Sequence, residues 1–299
     1  MAPSTLRPLT FGEILDGAFT LYRRNFVTFI GTALVPTVAV AVVVVVLGGG
    51  MFSAMGSGDS TSLIGAMFGA GLVIGLVAFA AMLMVWGALT HEASQAYTGQ
   101  PTSVGDGLQA GVRSILPMLG SGVLAFIGMI LAALVVGLGL TVFVAMLAAL
   151  GGATAVLGVL VAFVGWTAFF LAAVAVLFAV SPAIVVEGAG PLEAIERSYS
   201  LARGALPRVI GLMCVTVLIT YLPGMAVMGM TGGFAQMMNP QTLPTPSQII
   251  TQQLLGWAAS VLTTPFMVSV VVLQYFDRRV RTEALDVQMM ADRLAVAGD

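Results

Sequence analysis

Residues 114–186 read SILPMLGSGVLAFIGMILAALVVGLGLTVFVAMLAALGGATAVLGVLVAFVGWTAFFLAAVAVLFAVSPAIVV, and not one side chain among them is charged. Arg113 precedes the stretch and Glu187 follows it, so 73 residues run without a charge. A helix needs about 20 apolar residues to cross a hydrocarbon layer, so this run is too long for a single span. Gly151-Gly152 breaks it near the middle, as a tight turn would. The stretch therefore reads as two spans, 115–149 and 153–182, although three would also fit by length alone. Four further apolar runs lie outside it, at 27–48, 62–90, 207–231 and 249–275.

The placement of charge decides between two spans and three. Basic residues favour the cytoplasmic side of a membrane. With six spans, Arg7, Arg23, Arg24, Arg113, Arg197, Arg203, Arg208, Arg278, Arg279, Arg281 and Arg293 all fall on one side. The opposite loops, 49–61, 150–152 and 232–248, carry only Asp59. A seventh span would move the arginines of 197–208 across the membrane. The expected architecture is an all-α transmembrane bundle of six spans in one integral membrane domain over 1–299, with both termini cytoplasmic.

Composition agrees. Charged residues make up 8% of the 299 residues and hydrophobic ones 59%, with a mean hydropathy of +1.06. A soluble domain carries roughly 25% charged residues, so water cannot be the solvent for most of this surface. A net charge of −2 gives no reason to expect a nucleic-acid partner. The single cysteine, Cys214, excludes an intrachain disulfide and a cysteine metal cluster. It stands in an apolar run and is expected to be a buried, inert thiol.

A short pattern precedes each odd-numbered span: Thr10-Phe11-Gly12-Glu13, Ser103-Val104-Gly105-Asp106 and Gly190-Pro191-Leu192-Glu193. A helix-capping residue stands three before an acid in each, and the third has Pro at the first helical position. An apolar residue follows two after the acid (Leu15, Leu108, Ile195) and a small one five after it (Ala18, Gly111, Ser198). The chain thus reads as three pseudo-repeats, each an interfacial helix plus two spans. The interfacial helices are expected at about 11–24, 103–113 and 191–203, with a fourth amphipathic segment at 276–294. The first should bury a face of Phe11, Ile14, Leu15, Ala18 and Tyr22. The third should bury Leu192, Ile195, Tyr199 and Ala202, pair Glu193 with Arg197, and close at Gly204. Such helices lie in the headgroup plane or pack on the ends of the spans.

Motifs that carry chemistry are scarce. His91 is the one histidine, without a second His or Cys near it in sequence; a metal site needs three or four ligands, and a satisfied interfacial histidine is the better reading. No phosphate-binding glycine loop, nucleophile elbow or pair of carboxylates at membrane depth is present. Neither a cofactor nor a metal is implied. The spans hold no ionisable residue of the kind that marks ion pathways. Candidates for a polar lumen are confined to Ser260, Thr263, Thr264, Ser269 and Gln274 in the last span, and they do not share one clean face. Gly65/Gly69 and Gly71/Gly75 allow close helix approach, expected within the chain. Pro36, Pro223 and Pro265 are expected to kink their spans. In the last segment, Asp277 with Arg281 and Arg279 with Glu283 stand four apart. Phe276, Val280, Ala284 and Val287 form an apolar side expected to dock on the interfacial helices, bringing Arg278 and Arg281 to Glu13, Asp16 or Glu193.

Three segments together resemble a bacterial family. They are Phe11-Gly-Glu-Ile-Leu-Asp-Gly-Ala-Phe-Thr-Leu-Tyr-Arg-Arg-Asn-Phe26, Ala194-Ile-Glu-Arg-Ser-Tyr-Ser-Leu-Ala-Arg-Gly204 and Tyr275-Phe-Asp-Arg-Arg-Val-Arg-Thr-Glu-Ala-Leu-Asp286. The chain is similar to the membrane domain of glycerophosphoryl diester phosphodiesterase, which also occurs as a stand-alone six-span protein. The resemblance implies architecture and a bacterial inner-membrane location. It does not imply the phosphodiesterase activity, because no hydrophilic stretch is long enough for the catalytic barrel. The motif residues are Glu13, Asp16, Arg23, Arg24, Glu193, Arg197, Tyr275, Asp277, Arg278, Arg281, Glu283 and Asp286. The expected function is non-enzymatic: organising, or interacting with, membrane lipids or partner proteins, among them a second copy of the chain. A transporter or channel for a small or lipidic molecule is the alternative.

Overall fold

A computed structural model describes residues 7–56, 60–239 and 245–284. Among them, all regular structure is helical: α1 (Phe11–Arg24), α2 (Phe26–Gly56), α3 (Ser60–Tyr97), α4 (Val104–Ala149), α5 (Ala153–Val176), α6 (Val180–Glu187), α7 (Pro191–Ala202), α8 (Leu206–Met230), α9 (Gly233–Met238) and α10 (Pro246–Glu283). Six stretches are long and apolar enough to cross a membrane: Phe26–Gly48, Ile64–Tyr97, Val104–Ala149, Ala153–Glu187, Leu206–Met230 and Ser247–Glu283. The chain is an all-α, multi-pass membrane protein. Its outward residues, such as Val27, Phe68, Leu116, Val135 and Phe163, are large and apolar, which suits lipid and not water.

Several helices are longer than their sequence signal. α4 is continuous from Val104, so the interfacial helix expected at 103–113 is not a separate element but the first turns of a span. Ser114, the residue between the two expected segments, does not break a helix, and its hydroxyl bonds back to the Gly111 carbonyl at 2.8 Å. Likewise α10 carries the last span into the expected amphipathic segment without interruption as far as Glu283; the rest of that segment, with Asp286 and Val287, lies outside the described residues. Pro36, Pro223 and Pro265 all stand inside continuous helices. The interruption in the fourth span falls at residues 177–179, between α5 and α6. Pro182 falls in the first turn of α6, where its ring and missing N–H are tolerated.

The described residues fall into two compact units, one within Met1–Ile115 and Val215–Leu273, the other within Leu116–Cys214 and Gln274–Asp299. In the first unit α1 packs on α2 and α3, which pack on each other. Its buried apolar residues include Ile14, Ala18, Phe29, Ala33, Ala88, Leu89, Val268 and Leu273. The face of α1 expected from periodicity is only partly the packed one, since Phe11 remains exposed. Gly111 lets α3 and α4 approach closely, because a Cβ there would lie 2.4 Å from the Met84 carbonyl oxygen. Gly65, Gly69, Gly71 and Gly75, expected to do this work, face open space instead.

In the second unit α7 packs on α5 and α6. It docks through Ala194, Ser198, Leu201 and Ala202, while Leu192 and Tyr199 of the expected face are exposed. Small residues win here because they let a helix backbone close on the α5–α6 break. The Ser198 hydroxyl spans that break, accepting the Ala179 N–H at 2.9 Å and donating to the Val176 carbonyl at 2.6 Å. Ser121 donates to the Pro191 carbonyl at 3.0 Å and ties α4 to the start of α7. Cys214, expected to be buried, is exposed on α8.

The pseudo-repeats show themselves in packing as well as in capping. The small residue five after the acid is buried in each: Ala18, Gly111 and Ser198. So is the residue directly after the acid: Ile14, Gly107 and Ala194. These two positions are four apart and share a helix face.

Candidate functional site: an ion-paired clamp on the last helix

Sequence motif residues of the second unit converge around the end of α10. Glu187, the last residue of α6, is the hub. Arg197 of α7 makes a two-pronged contact with it, Nε to Oε2 and Nη2 to Oε1, both 2.8 Å. The Tyr275 hydroxyl donates to Oε1, and Arg279 Nη1 lies 3.3 Å from that oxygen. Arg197 Nη2 also reaches Glu283 Oε2 at 2.8 Å, and Arg279 Nε reaches the same oxygen at 3.0 Å. The Arg279 guanidinium stands 5.6 Å from the centre of the Tyr275 ring. Two carboxylates thus answer two guanidinium groups, and every oxygen of Glu187 is occupied. Hydrogen bonding to Glu187 and then to Glu283 raises the Arg197 pKa above its ordinary value against the opposing effect of burial.

A second group lies one turn along. Asp277 has a fully buried side chain, paired with Arg208 Nη2 at 3.1 Å and Arg281 Nε at 3.0 Å. Arg278 Nε donates to the Leu201 carbonyl at 2.8 Å; it satisfies one of the last carbonyls of α7 and puts a cation at the negative end of that helix. Tyr275, Phe276 and Val280 are buried around these charges. The arrangement binds α6, α7, α8 and α10 at one place. Its groups are held by each other: the Glu187 carboxylate is saturated with donors, and the Tyr275 hydroxyl is committed to it.

The remaining motif residues sit differently. Glu13 closes a capping box at α1, accepting the Thr10 N–H at 2.7 Å, and pairs with Arg7. The Arg7 hydrogen bond is the main reason its carboxyl pKa falls to about 2. Asp16 is exposed on α1, and Arg23 and Arg24 are exposed in its last turn. Glu193 is exposed and accepts the Gly190 N–H at 3.2 Å. Glu193 is therefore a cap and not the partner of Arg197, which turns to Glu187 and Glu283. Arg278 and Arg281, expected to meet Glu13, Asp16 or Glu193, are held within the second unit by the Leu201 carbonyl and by Asp277 respectively. Asp286 lies outside the described residues. The i,i+4 pairs Asp277–Arg281 and Arg279–Glu283 are both present.

Sequence reasoning missed Glu187 and Arg208. Glu187 did carry a signal, since a lone acid ending 73 uncharged residues is unusual. Arg208 carried none beyond its topological side.

No curated protein and no solved structure is matched by this chain. A family model described as "Domain of unknown function (DUF7847)" matches residues 12–278, which takes in all of the clamp up to Arg278. The chain belongs to that family.

Proposed function

We propose that the chain is a non-enzymatic protein of the bacterial cytoplasmic membrane that organises, or interacts with, membrane lipids or partner proteins, with both termini cytoplasmic. Within this reading residues 12–278 correspond to the membrane domain the chain resembles. The observation that carries it is the clamp. The densest group of ionisable side chains in the described residues is consumed in holding helices together, and Glu187 keeps no oxygen free to take a proton from a substrate. The exposed cations Arg23 and Arg24, next to the apolar and exposed Phe19 and Phe26, suit contact with anionic headgroups.

Heat unfolding of the purified chain in detergent tests the lipid contact. Added phosphatidylglycerol should raise the midpoint, and Arg23→Gln with Arg24→Gln should reduce the gain. Glycerophosphodiester hydrolysis above a mock preparation, or an unchanged midpoint with every lipid and partner tried, overturns the reading. Topology is tested in a Cys214→Ser background with single cysteines at Ser57, Thr245, Thr102 and Thr282. An impermeant thiol reagent on whole cells should label only the first two.

A cavity of 290 Å³ favours a second reading, a transporter or channel. It is lined by Thr37, Trp86, Trp257, Ser260 and Thr264 of the first unit. Flux of a small solute into vesicles that contain the purified chain would decide for it.

A further inference from the structure

α3 runs past the apolar part of its span and carries polar side chains with it. One of them is out of keeping with its surroundings. Glu92 is 1% exposed. Its Oε1 accepts the hydroxyl of Thr32 on α2, itself fully buried. Gly107 of α4 lies against the same carboxyl, so close that a Cβ would come within 2.3 Å of Oε1. Among the described residues no donor reaches Glu92 Oε2, and none reaches Oε1 of Gln95 one turn along. Both side chains line a cavity of 330 Å³, with His91, Ser103, Asp106 and Arg113.

The chemistry of these walls is selective. Two buried acceptors without donors are costly unless a donor is supplied, and one belongs to a carboxylate, so a cationic donor suits it best. No group of three His, Cys, Asp or Glu side chains able to hold a metal occurs among the described residues, which leaves an N–H cation as the fitting charge. Arg113 is exposed and makes no ion pair among the described residues, so the same wall offers a positive charge to an anion. The volume exceeds that of a single water, about 30 Å³, by an order of magnitude.

We propose that this cavity binds a small zwitterion, a protonated primary amine that also carries an anionic group. The ammonium donates to Glu92 Oε2 and Gln95 Oε1, and the anion pairs with Arg113. Two sources share that chemistry, a water-soluble aminoalkyl phosphate and the phosphoethanolamine headgroup of a lipid. The site is independent of the clamp, and its failure would leave the proposed function standing.

The test uses the full chain in a non-ionic detergent, titrated with O-phosphoethanolamine, ethanolamine or inorganic phosphate and followed by calorimetry and by the unfolding midpoint. O-Phosphoethanolamine should bind at least tenfold more tightly than ethanolamine, and phosphate alone should not bind. Glu92→Gln, which keeps the volume, should weaken binding at least tenfold. Arg113→Gln, at an exposed position, should abolish the preference for O-phosphoethanolamine over ethanolamine. If Glu92→Gln does not fold, Gln95→Leu takes its place with the same expected loss. In nanodiscs of phosphatidylglycerol, adding phosphatidylethanolamine should raise the midpoint if the lipid is the source. Competition by O-phosphoethanolamine would place both ligands at one site. Absence of binding in both arms, or equal binding by wild type, Glu92→Gln and Arg113→Gln, overturns the proposal.

Discussion

The two carboxylates Glu187, at the edge of one unit, and Glu92, buried in the other, are opposites. Glu187 receives donors from Arg197, Tyr275 and Arg279 on both of its oxygens. Glu92 is buried, yet among the described residues it holds one donor, the Thr32 hydroxyl. A charge taken out of water is tolerated when its partners repay the lost hydration. Glu187 meets that condition within the chain, and the result is mechanical: α6, α7 and α10 cannot separate without exposing unpaired charge. Glu92 leaves the condition half met, and such a position is where a ligand gains most.

Removing the hub of the saturated region should have the largest effect. Glu187→Ala leaves Arg197, Arg279 and the buried Tyr275 hydroxyl short of an acceptor. Exposed pairs are worth about 0–1 kcal/mol and breaking buried ones costs about 3–5 kcal/mol. The partners here are about one-fifth to one-quarter exposed, so a loss of about 2–3 kcal/mol is expected in detergent unfolding. A loss below about 1 kcal/mol would mean that the clamp is surface decoration.

The unsaturated region should be most sensitive to volume. Gly107→Ala places a methyl group against the Glu92 carboxyl, which must then shift into the cavity it lines. A cost of about 2 kcal/mol is expected from overpacking, together with weaker amine binding. Ser198→Ala removes both bonds across the α5–α6 break while leaving the space nearly filled, and about 1–2 kcal/mol should be lost in the same unfolding measurement.

The spans were legible in the sequence because a run of 73 uncharged residues and the one-sided arginines are global signals that no local detail reverses. The clamp was legible only where it is local. Asp277–Arg281 and Arg279–Glu283 follow from a spacing of four, whereas Arg197–Glu187 and Arg197–Glu283 depend on how three helices meet. Faces were misread for a related reason. Periodicity ranks Leu192 and Tyr199 above Ala194 and Ser198, because it weighs hydrophobicity. In a membrane protein the large apolar residues can face lipid, and small residues take the contacts.

Glu13 offers a gentler probe, through pH. Its folded pKa, about 2, lies below the ordinary 4.5. The contribution of its Arg7 pair and then its Thr10 cap is thus complete above about pH 4.5 and is lost as pH falls through 2. Amide protection factors in α1, which correct for the intrinsic pH dependence of exchange, should fall over that window in the wild type. Glu13→Gln should show no such dependence, because it has no carboxyl to titrate.

The smallest effect should come from Gly69, one of the glycines that the sequence made conspicuous, and Gly111 is its contrast. Gly69 and Gly111 are both mid-helix glycines with another glycine four residues before them, Gly65 and Gly107. On sequence alone they are equivalent close-approach motifs. In the fold, a Cβ on Gly111 would strike the Met84 carbonyl at 2.4 Å, whereas one on Gly69 would meet nothing within 4 Å. Gly111→Ala should therefore destabilise the chain through a backbone clash that no rotamer can relieve. Gly69→Ala should be neutral or slightly stabilising, by no more than about 1 kcal/mol, because alanine favours the helix. Unfolding midpoints of the two variants in one detergent test this, with light scattering to follow oligomeric state. If Gly69→Ala instead destabilises the protein and shifts it toward monomer, the outward glycine face is a contact with a second copy. The difference between the two motifs would then be one of partner and not of packing.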